Sequence, residues 1–275
     1  MSDTQNTSSV TSILNDVEVL QSKNKQSGLN EVLNAPDAYK AETPRTLPDV
    51  RDGIVAFLDV LGTSRLMKSI DDADVTSEDI KKVYSTTIGM EDTFVTSLTP
   101  TLNKLGEDLK YMIISDSFVI SVPSNQNALT ELIHFIRKFQ QSCLKSFSQP
   151  LRGAIAKGKI IGNISENKII GSAFINAHMA EGKLAIYPRI ILDFKLVEEF
   201  ELDRLSHFRE VVAKDADGIF YINFADGKFA QDIMGSIDAA TEQENHFSPE
   251  RQKWNWLRNY LMGKISGKKE RAVLS

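Results

Sequence analysis

Ile54-Val55-Ala56-Phe57-Leu58-Asp59-Val60-Leu61-Gly62-Thr63-Ser64 carries a carboxylate to the end of an apolar, β-branched run and then turns at a glycine. A second run, Ile113-Ile114-Ser115-Asp116-Ser117-Phe118-Val119-Ile120, holds another acid between two short apolar pieces. Both runs have the length and composition of buried strands. A buried carboxylate is costly unless it is paired or binds a metal, so two of them in one domain point to a shared cation. A glycine turn directly after Asp59 lets backbone N–H groups approach phosphate closely. Strand-end acid, phosphate-type turn and second strand-borne acid together suggest a metal–nucleotide site.

Outward from these runs the pattern alternates. Gly53 to Val60 reads as a strand, Leu61 to Ile70 and Ser77 to Leu98 as helices. Leu109 to Ser115 and Phe118 to Val122 read as two strands joined through Asp116-Ser117. Leu129, Leu132, Ile133, Ile136, Phe139, Cys143, Leu144 and Phe147 line one face of a long helix, and Leu151 to Ile161 is the next strand. The order β–α–β–β–α–β is a ferredoxin-like α/β (α+β) core, with an antiparallel sheet and helices on one face. Beyond it the spacing predicts a helix (Ala173 to Leu184), a strand (Arg189 to Leu192), a helix (Phe194 to Phe200), a strand (Gly218 to Phe224) and two C-terminal helices. Residues 1–48 form a polar extension in which Val10, Ile13, Leu14, Val17 and Leu20 have helical spacing, with a poorly ordered tail as the competing reading. Residues 49–275 read as one domain.

The 275 residues are 41% hydrophobic and 25% charged, a globular balance. The net charge of -5 argues against nucleic acid as the main partner. A single Cys143 removes any intrachain disulfide. No apolar run has the length of a membrane span and the start lacks a signal-peptide pattern, so cytoplasm and no membrane are the expectation. His134, His178, His207 and His246 lack metal-ligand spacing and read as structural or exposed. No P-loop or dinucleotide fingerprint is present.

In this topology Asp59 and Asp116 can converge, which suits two oxygen-liganded ions, Mg²⁺ or Mn²⁺, bridging triphosphate oxygens. The Val60 carbonyl is a further metal ligand candidate, and the N–H groups of Leu61, Gly62 and Thr63 are candidate phosphate donors. Competing readings are a helix N-cap for Asp59 and a turn residue for Asp116. Phe57 shares a strand face with Asp59 and could touch base or ribose, against the reading as a core aromatic. Lys110 or Tyr111 could contact base or phosphates, against the simpler reading as a solvated Lys beside a packed Tyr; Arg152 and Lys157 are candidate phosphate cations, with surface ion pairing as the alternative.

Phe57-Leu58-Asp59-Val60-Leu61-Gly62, Ser115-Asp116-Ser117, Leu151-Arg152-Gly153-Ala154-Ile155-Ala156-Lys157-Gly158, Gly171-Ser172-Ala173-Phe174-Ile175-Asn176-Ala177 and Lys253-Trp254-Asn255-Trp256-Leu257 occur in this order. Together they resemble the class III nucleotidyl cyclases, and most of all the pyrimidine cyclases of bacterial anti-phage (Pycsar) systems, over roughly Asp52 to Met262. The resemblance implies that Asp59 and Asp116 are the metal-binding aspartates, that Val60 adds its carbonyl, and that Asn176 is catalytic. Purine cyclases carry an Arg four positions after that Asn, where this chain has Ala180. Met112 and Lys168 stand near the purine-selecting Lys and Asp positions, and Lys168, Tyr111 and Phe57 become the candidates for reading a smaller base. The implied activity is conversion of UTP, or else CTP, to the 3′,5′-cyclic monophosphate by a homodimer with two ions per site. The product would activate a separate effector protein. The competing readings are a catalytically degenerate nucleotide-binding module and a purine cyclase.

Overall fold

The structure is a computed structural model and describes residues 49–63, 75–161, 168–246 and 248–267. The expectations for the extension 1–48 and for the helix after Thr63 lie outside these residues.

The described elements are β1 (Val50–Val60), α1 (Ser77–Leu105), β2 (Lys110–Ile114), β3 (Ser117–Pro123), α2 (Gln126–Phe147), β4 (Leu151–Ile161), α3 (Ser172–Leu184), β5 (Ile190–Leu192), α4 (Phe194–Glu199), β6 (Val212–Lys214), β7 (Phe220–Ile222), α5 (Gly227–Gln243) and α6 (Pro249–Ile265). They build a seven-stranded sheet in the order β2-β3-β1-β4-β5-β7-β6. The first four strands pair antiparallel, the expected βαββαβ core, with β1 between β3 and β4. The whole sheet is mixed, because β5 joins β4 in parallel. Among the described residues no helix is long and apolar enough to cross a membrane.

β1 is apolar without a break from Ile54 to Leu58 because both of its faces are covered. Ile54, Ala56, Leu58 and Val60 point into the main core under α1 and α2, where Phe94 meets Phe118, Phe135 and Phe139 with ring centroids 4.7, 5.5 and 5.3 Å apart. Val55 and Phe57 point the other way, with Val119 and Ala156, into a smaller cluster closed by Ile169, Ala173 and Ala177. Helices therefore cover both faces, where the core pattern alone leads to one. The second face belongs to α3, which packs tightly enough that a Cβ on Gly158 would sit 2.6 Å from the Ala173 backbone N.

α1 starts at a Thr76–Asp79 capping box and continues to Leu105, past the expected end at Leu98. Pro100 lies inside it, close to the C-terminal end, where one lost backbone bond is tolerated. α2 is capped by Asn125, α5 by Asp226 and α6 by Ser248. The three-residue β6 is too short to show a period, and β7 is shorter than the expected strand.

Candidate active site

Three side chains stand abreast across the second sheet face. Asp59 at the end of β1 is in register with Ser117 of β3 on one side and Arg152 of β4 on the other. Ser117 Oγ donates to Asp59 Oδ1 at 3.3 Å, and Arg152 Nε–H donates to Asp59 Oδ2 at 3.0 Å. The Asp59 side chain keeps 18% of its exposure. α3 crosses this row and adds Glu181, whose Oε1 lies 2.9 Å from the same Arg152 Nε.

The second acid arrives through the β2–β3 turn. Val60 N–H donates to the Asp116 carbonyl at 3.2 Å, which fastens the turn to the end of β1. Ser115, the first residue of this two-residue turn, has φ 57°. Glycine normally fills such a position, and a side chain there costs about 1–2 kcal/mol. Strain of this kind is kept where a neighbouring residue must be held in place, here Asp116. Asp116 is half-buried and close enough for its charge to act on Asp59. Burial is the main cause that raises the Asp59 pKa; Asp116 adds to it, while Arg152 and Ser117 oppose it. Burial likewise raises Glu181, with the Asp59 charge adding and Arg152 and His178 opposing. Asp116 also lines a cavity of about 290 Å³ between the end of β1 and α1, with Val60, Thr63, Met90, Glu91 and Phe118.

The donors that could hold a cation are all oxygens, two carboxylates and the Val60 carbonyl. Among the described residues no cluster of three or more His, Cys, Asp or Glu side chains forms. Such a set fits Mg²⁺ or Mn²⁺ and not a soft metal. The repulsion between Asp59 and Asp116 is what a cation would remove. The Val60 carbonyl already accepts from Thr63 Oγ1 at 3.1 Å and has one lone pair left.

Several expected contacts are corrected. The Leu61 N–H is taken by the Pro150 carbonyl at 2.9 Å, so it is no phosphate donor in this conformation. Gly62, with φ 93°, and the buried Thr63 remain at the turn. Tyr111 sits opposite Ile120 on the main-core face and packs on Phe94 at 5.7 Å, away from Asp59. Its neighbour Met112 takes the second face, against the smaller cluster. Lys168 is exposed and lines a separate cavity of about 220 Å³ with Arg51, Asp108, Lys110 and Ser121. That cavity is at the start of β1, roughly 26 Å from Asp59 at about 3.3 Å per strand residue. Lys157 pairs with Glu199, the surface alternative. Asn176 is exposed on α3 and donates from Nδ2 to the Lys157 carbonyl at 3.2 Å.

Phe57 lies on the Asp59 face, as its spacing requires, and meets His178 at 4.8 Å and Phe174 at 6.1 Å. His178 stacks on Phe174 with an interplanar angle of 13°. His178 is exposed, as expected, and its ring contacts were not legible from spacing. Glu181 was missed altogether, although a signal existed. Ala173, Ala177 and Glu181 recur at i, i+4 and i+8, which sets a carboxylate in the buried stripe of α3.

No protein-family model matches the chain, and no curated protein matches it in sequence. Solved structures with a similar arrangement include the guanylyl cyclase domain of a fusion protein from the aquatic fungus Blastocladiella emersonii, with 12% identity over 64% of this chain and 96% of that one, at a TM-score of 0.43. A bacterial light-regulated adenylyl cyclase shows 12% identity over 92% of this chain and 70% of that one, at 0.42. A class III adenylyl cyclase-like ATP-binding protein from Pseudomonas aeruginosa shows 11% identity over 80% of this chain and 46% of that one, at 0.40. Scores and identities this low add nothing to what the geometry supports.

Proposed function

We propose that this chain is a nucleotidyl cyclase of the class III type, acting on a pyrimidine nucleoside triphosphate, UTP ahead of CTP. The ribose 3′-oxygen attacks the α-phosphate, a 3′,5′-cyclic monophosphate forms, and pyrophosphate leaves. The observation that carries this reading is the pairing of Asp59 with Arg152 at the end of β1, with the Asp116 charge close enough to act on Asp59. Two carboxylates and a guanidinium at one strand end exceed what a scaffold needs, and they suit a triphosphate with its counter-ions. Asp59, Asp116 and the Val60 carbonyl would hold one or two divalent ions, which when bound lower the pKa of the 3′-hydroxyl and neutralise the phosphates. Arg152 supplies the protein's own positive charge there. The stacked His178 and Phe174, beside the buried Phe57, offer aromatic faces on the Asp59 side of the sheet for base or ribose.

Met112, with no charge or hydrogen-bonding end near the purine-selecting Lys position, supports a base other than a purine. A purine-fitted pocket would leave polar groups unpaired around a pyrimidine, at about 1–3 kcal/mol each. Purified protein given each nucleoside triphosphate with Mn²⁺, followed by product chromatography, is expected to turn over UTP at least about tenfold faster than ATP or GTP, with CTP next. Equal or faster turnover of ATP overturns the pyrimidine reading.

Within one chain Asn176 does not join the Asp59 row, and Lys168 is at the far end of β1. A head-to-tail homodimer would bring such residues of one copy to the aspartates of the other, and the exposed Ile175 and Met179 give α3 an apolar outer face for that contact. Mixing Asp59→Ala chains with Asn176→Ala chains is then expected to restore part of the activity, because one of the two sites in each heterodimer is intact. No recovery with heterodimers present would confine the site to one chain. The product would act on a separate effector protein, as in anti-phage signalling, within the cytoplasm.

A nucleotide-binding module without turnover is the second reading, favoured by Ala180 and by the capture of Asp59 by Arg152. Metal-dependent nucleotide binding with no product from any triphosphate would select it.

A further inference from the structure

Arg152 has one Nε–H and two carboxylates within reach of it. The hydrogen points at Asp59 Oδ2, 3.0 Å away. Glu181 Oε1 is as near, at 2.9 Å, yet it has no aligned hydrogen-bond donor and is buried, with only 5% of the side chain exposed. A buried, unsatisfied carboxylate oxygen is costly, and here it faces a donor that is engaged elsewhere. β4 fixes the base of the Arg152 side chain and α3 fixes that of Glu181, so neither acid has to move for the hydrogen bond to change hands.

We infer that Glu181 is a positioning residue that takes over Arg152 when a divalent cation claims Asp59. In the cation-free protein the guanidinium is the resident cation of Asp59 and closes the site. When a divalent ion binds Asp59, the two positive charges repel, the Nε–H turns to Glu181 Oε1, and the idle acceptor is satisfied. Arg152 stays at the site, where a triphosphate would need it. Without Glu181 the displaced guanidinium would have no buried partner, and it would either leave for solvent or hold Asp59 against the metal. The inference rests on the metal reading of Asp59 given above.

The test follows the arginine Nε–H resonance by ¹⁵N NMR in the full-length protein, identified by its absence in Arg152→Lys. Without divalent ions, wild type and Glu181→Leu both are expected to show it, held by Asp59. On saturation with Mg²⁺, wild type is expected to keep a shifted, exchange-protected signal, whereas Glu181→Leu, which has no acceptor there, loses it to solvent exchange. Glu181→Asp, whose shorter side chain withdraws the acceptor, is the second variant and behaves like Glu181→Leu. Mn²⁺ titration by electron paramagnetic resonance is expected to show binding in wild type, about tenfold weaker in Glu181→Leu. Loss of the wild-type signal with Mg²⁺, or its retention in both variants, overturns the exchange while Mn²⁺ binding leaves the metal reading standing. No Mn²⁺ binding to wild type overturns both.

Discussion

Asp59→Asn is expected to lower product formation by roughly a thousandfold or more, with Asp116→Asn close behind, because each removes a charged oxygen ligand from the candidate cation site. The same Asp59 substitution is expected to raise the melting temperature in chelator. The folded protein binds a proton at Asp59 more tightly than the unfolded chain does, through burial first and the Asp116 charge next. Ionised Asp59 therefore costs stability, and the cost grows as pH rises from the ordinary carboxylate range through the raised value. Below that range wild type and variant converge; above it the variant gains. Added Mg²⁺ reverses the order, since only wild type retains both carboxylates to bind it. Urea unfolding at acidic and neutral pH, with and without Mg²⁺, reads all three signs. Wild-type turnover by a folded Asp59→Asn protein would remove the assignment, and a stability difference independent of pH would remove the electrostatic account.

The second large effect lies away from the site. Arg189→Leu is expected to destabilise the domain by about 3 kcal/mol, the lower part of the range for a broken buried pair, because neither carboxylate partner is fully buried. Arg189 is 1% exposed and pairs with both Asp215 and Asp217. Tyr187, Tyr221 and Trp256 put their rings around the guanidinium at 5.5, 5.9 and 5.8 Å. Trp256 of α6 donates from Nε1 to Asp215 Oδ2 at 2.9 Å and stacks on Tyr187 and Tyr260. The network thus fastens α6 to the sheet beside β5. Burial pulls the Asp217 pKa up, but hydrogen bonds from Arg189 and the Ile219 N–H hold it below the ordinary value, so this support is lost as pH falls through that lowered value. A loss of about 3 kcal/mol corresponds to a fall of roughly 6–12 °C for a domain of this size. Arg189→Met combined with Asp215→Asn and Asp217→Asn is expected to recover most of it, since no unpaired charge then remains. Equal destabilisation by single and triple variants would assign the loss to packing.

Local pattern carried much of this molecule. The unbroken apolar run of β1, the helical spacing of α2 and the order of the first six elements are properties of neighbouring residues, and they led to the βαββαβ core with its two aspartates. The Lys253–Leu257 string was recognisable as a motif, but its role in holding Arg189 was not. Side-chain alternation says that Tyr111 and Met112 face opposite ways without saying which way is which; pairing with β3 decides that, and it turns Tyr111 into the core. The expected N–H donor Leu61 was lost to Pro150, a residue distant in sequence, for the same reason. Arg152 was legible as a cation near phosphate, but its partner was not, because Asp59 and Arg152 are 93 positions apart and meet only through the β1–β4 register. Glu181 needed one step more. A glutamate on a helix is ordinarily solvated, and only the docking of α3 on Gly158 places this one against a guanidinium already bound to another acid. Residue identity and spacing determined where the carboxylates of β1 and the hairpin stand along the chain. Which charges they share was decided by strand register and helix packing, because electrostatic energy depends on separation in space and burial, and the order of the chain constrains neither.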